Sequence, residues 1–228
     1  MRRRSLLTAV SAGALSVAGC LSTGTGGAGP EAGGSTGGEA RRYEECGREI
    51  IPYDMFPGPV QAEIDAAREG RYEAARVYLA EAMDIDASYV SIDDTYYEPS
   101  VTEVGDRQRL ELQAVEPKAL PTARPVRVEQ HRGGERTVTV SLTAEDGTPL
   151  VEETRSLHPG GDVEFGTVRR VGTHDIRVTV VDGEETEAEL SESVTVNESR
   201  FDILVVFEAT ESYVTGAVAD LALCQFET

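Results

Sequence analysis

The chain has 228 residues, enough for one or two domains, and only 39% of them are hydrophobic, below the usual share for a globular protein. Acidic residues outnumber basic ones 41 to 21, and the net charge of −20 excludes nucleic acid and anionic lipid headgroups as favourable partners, because both repel the chain. Acidity spread along the whole chain is typical of a surface that stays soluble in very high salt, where the Debye length is about 3 Å at 1 M, and it leaves open the capture of cations or of a basic partner.

The first 20 residues have the organisation of a lipoprotein signal peptide. Arg2-Arg3-Arg4 form a charged start, a weakly apolar segment follows from Leu6 to Ala18, and Val17-Ala18-Gly19-Cys20 matches a lipobox. The apolar core is shorter than the roughly 20 residues that span a bilayer. The sequence therefore predicts a lipid on Cys20 and an anchor at the extracytoplasmic face of the cell membrane. The arginine cluster favours twin-arginine export, and a general secretory leader is the alternative, because Ser5 follows the arginines and no Ser or Thr precedes them.

Residues 21–42 are predicted to be a flexible tether. From Leu21 to Ala40 nearly all residues are Gly, Ser, Thr or Ala, with two Glu among them. Such a composition buries too little apolar surface to become ordered, and Gly- and Ser-rich segments behave as flexible linkers. We expect this segment to hold the folded region clear of the lipid headgroups.

Residues 43–118 are predicted to form a small α+β module that begins with helices. Pro59 stands where a helix can begin and Gly70 where it ends, with apolar positions between them at helical spacing, namely Val60, Ile64 and Ala67. A second helix is predicted to begin at Tyr72 or Ala74 and to end at Met83.

A three-stranded meander is predicted to follow the two helices. Asp93-Asp94 and Gly105-Asp106 are its turns, and the alternating segments around them are Ser88–Ile92, Thr95–Val104 and Arg109–Val115. Tyr89, Tyr96 and Tyr97 are a candidate binding patch, but at strand spacing they are more often cross-strand packing residues.

Residues 122–228 are predicted to form an antiparallel β-sandwich of immunoglobulin-like architecture. Short alternating strands are separated by turn sequences at regular intervals, as such sandwiches require, and these turns are Asp146-Gly147, Pro159-Gly160-Gly161 and Asp182-Gly183. The segment from Phe201 to Glu208 is apolar on both faces, which predicts a covered central strand. Tyr213 to Leu223 is predicted to be a last strand or two.

Two further kinds of modification are predicted. Asn197-Glu198-Ser199 is an N-glycosylation sequon, and we expect Asn197 to be accessible if it lies in a loop. With Cys20 lipidated, Cys46 and Cys224 are left, an even number in an oxidising compartment, and they flank the folded region. The sequence therefore predicts a disulfide between them. The alternative is two buried free thiols.

No enzyme, cofactor or metal site is predicted. The sequence has neither a His-Glu-x-x-His pair nor a phosphate-binding Gly-x-x-x-x-Gly-Lys loop. A zinc site needs converging ligands, and the three histidines belong to separate strands or turns and are predicted to face solvent, namely His131, His158 and His174. The segment Asp84-x-Asp86-x-Ser88 resembles the start of a calcium loop but has Tyr89 where that loop needs Gly. Loop acids leave a calcium alternative open, namely Glu145-Asp146 or Asp182, Glu184 and Glu185.

Several features together resemble one group of proteins, the secreted lipoproteins of halophilic archaea. These features are Val17-Ala18-Gly19-Cys20, the acidic composition with Lys118 as the only lysine, the segment from Val60 to Tyr72, Asp94-Thr95-Tyr96-Tyr97 before the meander, and Cys46 and Cys224 near the ends of the folded region. The resemblance implies a surface location and immunoglobulin-like domains, and none of its motifs is catalytic.

The function that these observations favour is a non-enzymatic module on the cell surface of a halophile, anchored through the lipid on Cys20. It is either structural or binds a surface protein or a glycan. One alternative is an accessory binding component of a transport or export system, although no β-α-β alternation of a two-lobed solute-binding protein is present. The other is a calcium-binding adhesion module.

Overall fold

Three β-sheets and two apolar cores make up the folded region, within residues 42–183, 185–208 and 210–226, which the computed structural model describes. The predicted leader, the predicted lipid site Cys20 and the predicted tether up to residue 41 lie outside these described residues. Among the described residues, no helix combines the length and the apolarity that crossing a bilayer would take.

The N-terminal module is a five-stranded sheet covered on one face by a helix. The strands lie in the order β1-β3-β4-β5-β2, with β1 parallel to β3 and the other pairs antiparallel. Its elements are β1 (Ile50–Pro52), a 3₁₀ turn (Tyr53–Met55), α1 (Gly58–Arg68), β2 (Tyr72–Ala74), α2 (Leu79–Ala82), β3 (Tyr89–Ile92), β4 (Thr95–Val104) and β5 (Arg107–Ala114). The predicted meander is therefore present as β3, β4 and β5, with β1 and β2 added at its two edges.

The predicted second helix is wrong over most of its length. The chain from Tyr72 forms β2, which pairs with β5 through Tyr72 and Leu110, and only the single turn of α2 is helical. The reason is a tertiary contact, because the buried carboxylate of Glu63 on α1 accepts hydrogen bonds from the Tyr72 hydroxyl and from the backbone N–H of Leu79. These contacts hold the chain as the strand β2 followed by the short helix α2, although the local periodicity predicts one continuous helix.

The N-terminal sheet packs on both faces near β3, because successive side chains of a strand point to opposite sides. Val90 and Tyr97, which are paired across β3 and β4, belong to the core under α1. Tyr89 and Tyr96 face the other way and pack against the core of the sandwich. The prediction that these tyrosines are packing residues is confirmed.

The C-terminal region is a sandwich of two four-stranded sheets, in the orders β11-β10-β7-β8 and β13-β12-β6-β9. Its core contains the inward residues of both sheets, such as Val140, Phe165 and Val178. The strands are β6 (Ala119–Gln130), β7 (Arg136–Ala144), β8 (Pro149–Leu157), β9 (Gly161–Arg170), β10 (Gly172–Asp182), β11 (Glu185–Val196), β12 (Ile203–Phe207) and β13 (Ser212–Thr215). The predicted sandwich is confirmed, with one correction: β12 runs parallel to β6, so the sandwich is not wholly antiparallel.

The end of the chain leaves the sandwich. The predicted covered strand is β12, which lies between β13 and β6, but the strand predicted from Tyr213 to Leu223 ends at Thr215. The tail then runs back to the N-terminal module, where Phe226 stacks on Phe56 with 5.5 Å between the ring centroids. Both ends of the described chain therefore contact the same apolar core.

Candidate functional site

A cleft lies between the segment that precedes β1 and the C-terminal tail. Its volume is about 660 Å³, and one wall is formed by residues 44–49, the other by residues 219–225, with Glu198 and Phe201 contributed by the sandwich. This volume is in the range of known ligand sites, about 300–1,000 Å³. We call it the terminal cleft.

A disulfide joins the two walls of the terminal cleft. Cys46 is bonded to Cys224, the pair predicted from the sequence, with 5.2 Å between their Cα atoms. Cys46 is held in place because its backbone N–H donates to the carbonyl of Ala82 at 2.9 Å. On the other wall the N–H of Ala219 donates to the carbonyl of Ser199 at 3.0 Å. The two thiols are therefore not free, and the walls stay adjacent at this end of the cleft.

Two ion pairs link the N-terminal module to the sandwich beneath the cleft. Arg48 is paired with Glu198, and Arg124 is paired with Glu49 through both of its terminal nitrogens. Arg124 lies on β6 and is 2% exposed, and its guanidinium lies 5.5 Å from the centroid of the Phe201 ring. Each guanidinium therefore connects residues that are far apart in the chain and holds the floor of the cleft in place.

The lining of the cleft is both apolar and acidic. Phe201 is 47% exposed and Leu223 is 73% exposed, which is unusual for side chains of this size. The lining carries one arginine, Arg48, and five acidic residues, namely Glu44, Glu45, Glu49, Glu198 and Asp220. Among the described residues that line the cleft there is no histidine, serine or free thiol, the groups most often used as nucleophile or base in covalent catalysis.

Asn197 lies at the edge of the cleft, one residue before Glu198, in the exposed turn that follows β11. Its side-chain oxygen accepts hydrogen bonds from the Ser199 backbone N–H at 3.1 Å and from the Ser199 hydroxyl at 3.2 Å. The amide nitrogen that would carry a glycan is thus on an exposed residue in a turn. Glycosylation at Asn197 stays a prediction.

The three histidines do not form a site. His131 and His158 are exposed as predicted, but His174 is buried, so the prediction of a solvent-facing side chain is wrong there. Its ring Nε2 lies 2.8 Å from the carbonyl oxygen of Arg170. The alternation of His174 with Ile176 on β10 places both on the core face, a signal that was present in the sequence. Within the described ranges, no three metal-ligating side chains form a group that could hold a metal ion.

Two of the loop acids of the calcium alternative, Asp146 and Asp182, have arginine partners. Arg170 donates to both carboxylate oxygens of Asp146, at 2.7 and 3.3 Å, and this hydrogen bonding holds the pKa of Asp146 well below its usual range. Asp182 lies 3.3 Å from a guanidinium nitrogen of Arg136. Glu184 lies outside the described residues. These contacts reduce the negative charge available to a cation at either loop.

Part of the sandwich is similar to a known family of domains. Residues 134–209 match the family model of the halobacterial Ig-like domain. The sandwich is thus similar to halobacterial Ig-like domains. The match runs from the start of β7 to the end of β12 and excludes both walls of the terminal cleft. No curated protein matches the chain.

Proposed function

We propose that this protein is a lipid-anchored, non-enzymatic module of a halophile's cell surface and that it binds a surface protein at the terminal cleft. The observation that carries the proposal is the composition of that cleft, which combines exposed apolar side chains with acidic groups and offers no nucleophile and base. Exposed apolar side chains gathered in a concave site are typical of interaction surfaces.

The similarity to halobacterial Ig-like domains supports this function. Ig-like sandwiches serve mainly as structural or binding modules in cell-surface proteins. The acidic composition supports a surface that works in concentrated salt, since screening removes most of its self-repulsion there.

The lipobox is the observation that supports the proposed lipid anchor. Cys20 is the only cysteine that follows a run of small residues after an apolar segment, and the other two cysteines are joined to each other. Stable anchoring by lipid takes two chains, because a single chain gives only marginal membrane binding. The proposal therefore includes a two-chain lipid on Cys20.

Replacing Cys20 tests the anchor. We expect Cys20→Ser to release the protein into the medium or to leave the precursor uncleaved, because no other group takes the lipid. Ser22→Ala, two residues further on, is the matched control and should remain in the membrane fraction. If Cys20→Ser fractionates and migrates like the wild type, the protein is not a lipoprotein.

Cross-linking on intact cells tests the binding function. We expect the wild-type protein to cross-link to a specific surface protein and the double variant Phe201→Ser with Leu223→Ser to lose that product. The control pair Val104→Ser with Tyr213→Ser removes exposed apolar side chains outside the cleft lining and should keep the product. A product that is the same in all three proteins would exclude the terminal cleft as the binding site.

A further inference from the structure

The disulfide of the terminal cleft can be reached from the cleft itself. Cys46 and Cys224 both line it. Cys46 is buried, with 6% of its surface exposed, whereas Cys224 is partly exposed. Access to the sulfur is one of the factors that set the rate of thiol–disulfide exchange. A small thiol in the cleft can therefore attack the bond, and the more accessible sulfur is that of Cys224.

The wall that carries Cys224 has few other contacts that hold it in place. Within the part of the chain that the structure describes, the backbone of residues 220–225 makes no hydrogen bond to another backbone group. Two side chains of residues 220–226 pack on the N-terminal core, namely Cys224 and Phe226, and Phe226 stacks on Phe56. Breaking the disulfide therefore leaves mainly the packing of Phe226 to hold residues 220–226.

The two apolar cores do not depend on residues 220–226. Among the described residues, the buried members of both cores lie before residue 208, and the side chains of Cys224 and Phe226 are only partly buried at the edge of the N-terminal core. Segments with few buried contacts open locally without unfolding of the core. The protein can therefore keep both cores in two states, one with the wall held and one with the wall released.

The charge of the cleft determines which thiols reach the disulfide most readily. The lining carries five acidic residues and one arginine. Glu44 lies two residues from Cys46, and Asp220 lies four residues from Cys224. A negatively charged cleft lowers the local concentration of anionic thiols and raises that of cationic ones, and salt weakens both effects. A cationic or uncharged thiol is therefore the class of reductant that fits this site.

We infer that the Cys46–Cys224 disulfide is a redox switch that forms and releases the terminal cleft. In the oxidised protein the two walls are joined and the cleft is present. In the reduced protein residues 220–226 leave the N-terminal module, and binding at the cleft is lost. Because the cytosol keeps thiols reduced, the binding site forms only after export. This inference rests on the proposed function and deepens it, because it names how the binding site is regulated.

Reduction by a dithiol is a two-electron exchange. One thiolate of the dithiol attacks the sulfur of Cys224, the S–S bond breaks, and Cys46 leaves as a thiolate that takes up a proton. The second thiolate of the dithiol then attacks the reductant sulfur that is bonded to Cys224, and Cys224 leaves as a thiolate that takes up the second proton. The dithiol becomes a cyclic disulfide, and two electrons and two protons have passed to the protein. A small disulfide reverses the reaction.

Limited proteolysis of the two redox forms tests the release of the wall. The full-length Cys20→Ser variant is used in molar KCl, because its only cysteines are Cys46 and Cys224. It is oxidised or reduced with dithiothreitol and treated with a protease that cleaves after leucine and phenylalanine, and the fragments are identified by mass spectrometry. We expect cleavage within residues 220–226 to be at least tenfold faster in the reduced form and to return to the first rate after reoxidation. Equal rates in the two forms would overturn the inference.

The double variant Cys46→Ser with Cys224→Ser, made in the same background, is the control for the proteolysis. It should be cleaved within residues 220–226 as fast as the reduced protein, with or without dithiothreitol. Cleavage within β7 should be equally slow in all forms, because the sandwich core does not include the released segment. If dithiothreitol accelerates cleavage of the double variant as well, the effect does not come from this disulfide and the inference is wrong.

Two monothiols of opposite charge test the class of reductant. The rate of reduction by cysteamine or by 2-mercaptoethanesulfonate is divided by the rate of the same thiol with a small uncharged disulfide. We expect the corrected rate to be at least threefold higher for cysteamine in tenths-molar KCl and nearly equal for both in several-molar KCl. Glu44→Gln with Asp220→Asn should reduce this preference, whereas Glu152→Gln with Glu164→Gln, at exposed acids outside the lining, should keep it. A preference for the anionic thiol would contradict the assigned class of reductant.

Cross-linking on intact cells separates this inference from the proposed function. The wild-type protein should lose its surface-protein product after reduction and regain it after reoxidation. Cys46→Ser with Cys224→Ser should lack the product without any thiol, which excludes an effect of the thiol on the partner. If the reduced protein keeps the product, the switch is wrong and the proposed function stands. If no product forms in either redox state, the proposed function is wrong, and the proteolysis alone decides whether the disulfide releases the wall.

Discussion

The guanidinium of Arg124 lies against the carboxylate of Glu49, with 3.2 Å between Nη1 and Oε1, and this pair joins the sandwich to the N-terminal module. Arg124 is almost wholly buried, whereas the Glu49 side chain is 23% exposed. A further nitrogen of Arg124 lies 3.4 Å from the carbonyl oxygen of Glu198, which lines the terminal cleft. The contact that connects the two modules is therefore also part of the support of the cleft.

Removing the carboxylate of this pair should destabilise the protein. Glu49→Gln leaves a buried guanidinium without its counter-charge, and breaking a fully buried pair in this way costs about 3–5 kcal/mol. Because Glu49 is partly exposed, we expect the free energy of unfolding to fall by about 2–3 kcal/mol. Urea unfolding in molar KCl measures the change.

The matched control is a surface pair in the sandwich. Arg155 and Glu153 form an ion pair in which both side chains are about half exposed. We expect Glu153→Gln to change the free energy of unfolding by less than about 0.5 kcal/mol, as exposed pairs usually do. If Glu49→Gln and Glu153→Gln lower the free energy of unfolding equally, the buried guanidinium of Arg124 does not need the charge of Glu49 for stability.

Salt should stabilise the protein strongly. The net charge of −20 makes the folded state repel itself at low ionic strength, and screening removes that repulsion as salt rises. We expect the melting temperature to increase continuously as KCl is raised from tenths molar to several molar. A mesophilic Ig-like domain with balanced charge is the control and should shift little. A melting temperature that stays constant across this range would contradict adaptation to high salt.

Most strands were predictable because their signals are local. The turn residues Asp93 and Asp94 both adopt positive φ angles, 46° and 67°, as a two-residue hairpin turn requires, and the alternating residues on either side of them form β3 and β4. In the sandwich the alternation along β7 and β10 places the expected apolar residues in the core. Local alternation predicts a strand and its buried face, but it does not predict which strand lies beside it.

The features that were not predictable depend on contacts between distant residues. The strand β2 exists because Tyr72 meets Leu110, and the parallel pairing of β12 with β6 joins residues such as Val205 and Val128. The terminal cleft is of the same kind, since Arg48 and Glu198 are separated by 150 residues. Of these long-range contacts, only the disulfide was predicted from the sequence. If Cys20 is assigned to the lipid, two cysteines are left, and they can pair only with each other.

Glu63 should make stability depend on pH. Its carboxylate is buried on α1 and accepts backbone N–H hydrogen bonds from Tyr78 at 3.1 Å and Leu79 at 2.9 Å. Burial raises the pKa of Glu63 above the ordinary value of 4.5, and the hydrogen bonds oppose this shift only in part. The folded protein therefore keeps a proton at pH values where the unfolded chain has released it.

Because the folded state retains this proton to higher pH than the unfolded state, the contribution of Glu63 to stability should fall as pH rises. As pH rises from 4.5 through the raised pKa of Glu63, the unfolded state binds fewer protons than the folded state, so the contribution of Glu63 to the free energy of unfolding falls. We expect the stability of the wild type minus that of Glu63→Gln to decrease across this pH window and to level off above it. Glu152→Gln, which makes the same replacement at an exposed position, is the control for exchanging a carboxylate for an amide. A wild-type advantage over Glu63→Gln that grows with pH would contradict a raised pKa.

The disulfide should be needed to keep the C-terminal tail in place. Cys46 and Cys224 are 178 residues apart, and disulfides typically contribute about 2–4 kcal/mol, with about 5 kcal/mol as the upper range for long loops. A non-reduced digest analysed by mass spectrometry should contain one linked peptide pair with both residues. Two free thiols that can be alkylated would exclude the bond.

Removing the bond should loosen the tail before it affects the sandwich. In the double variant Cys46→Ala with Cys224→Ala, the wall at residues 220–225 keeps no backbone–backbone hydrogen bond within the described chain, while Phe226 next to it still stacks on Phe56. The amide of Ala219, at the start of this wall, donates to the carbonyl of Ser199 at 3.0 Å and is therefore protected in the wild type. We expect hydrogen exchange of this amide to become at least tenfold faster, whereas the amides of β7 should exchange at wild-type rates, because local opening does not require the core to unfold. If exchange in β7 and in the tail accelerates equally, the disulfide stabilises the whole domain and does not position the cleft wall.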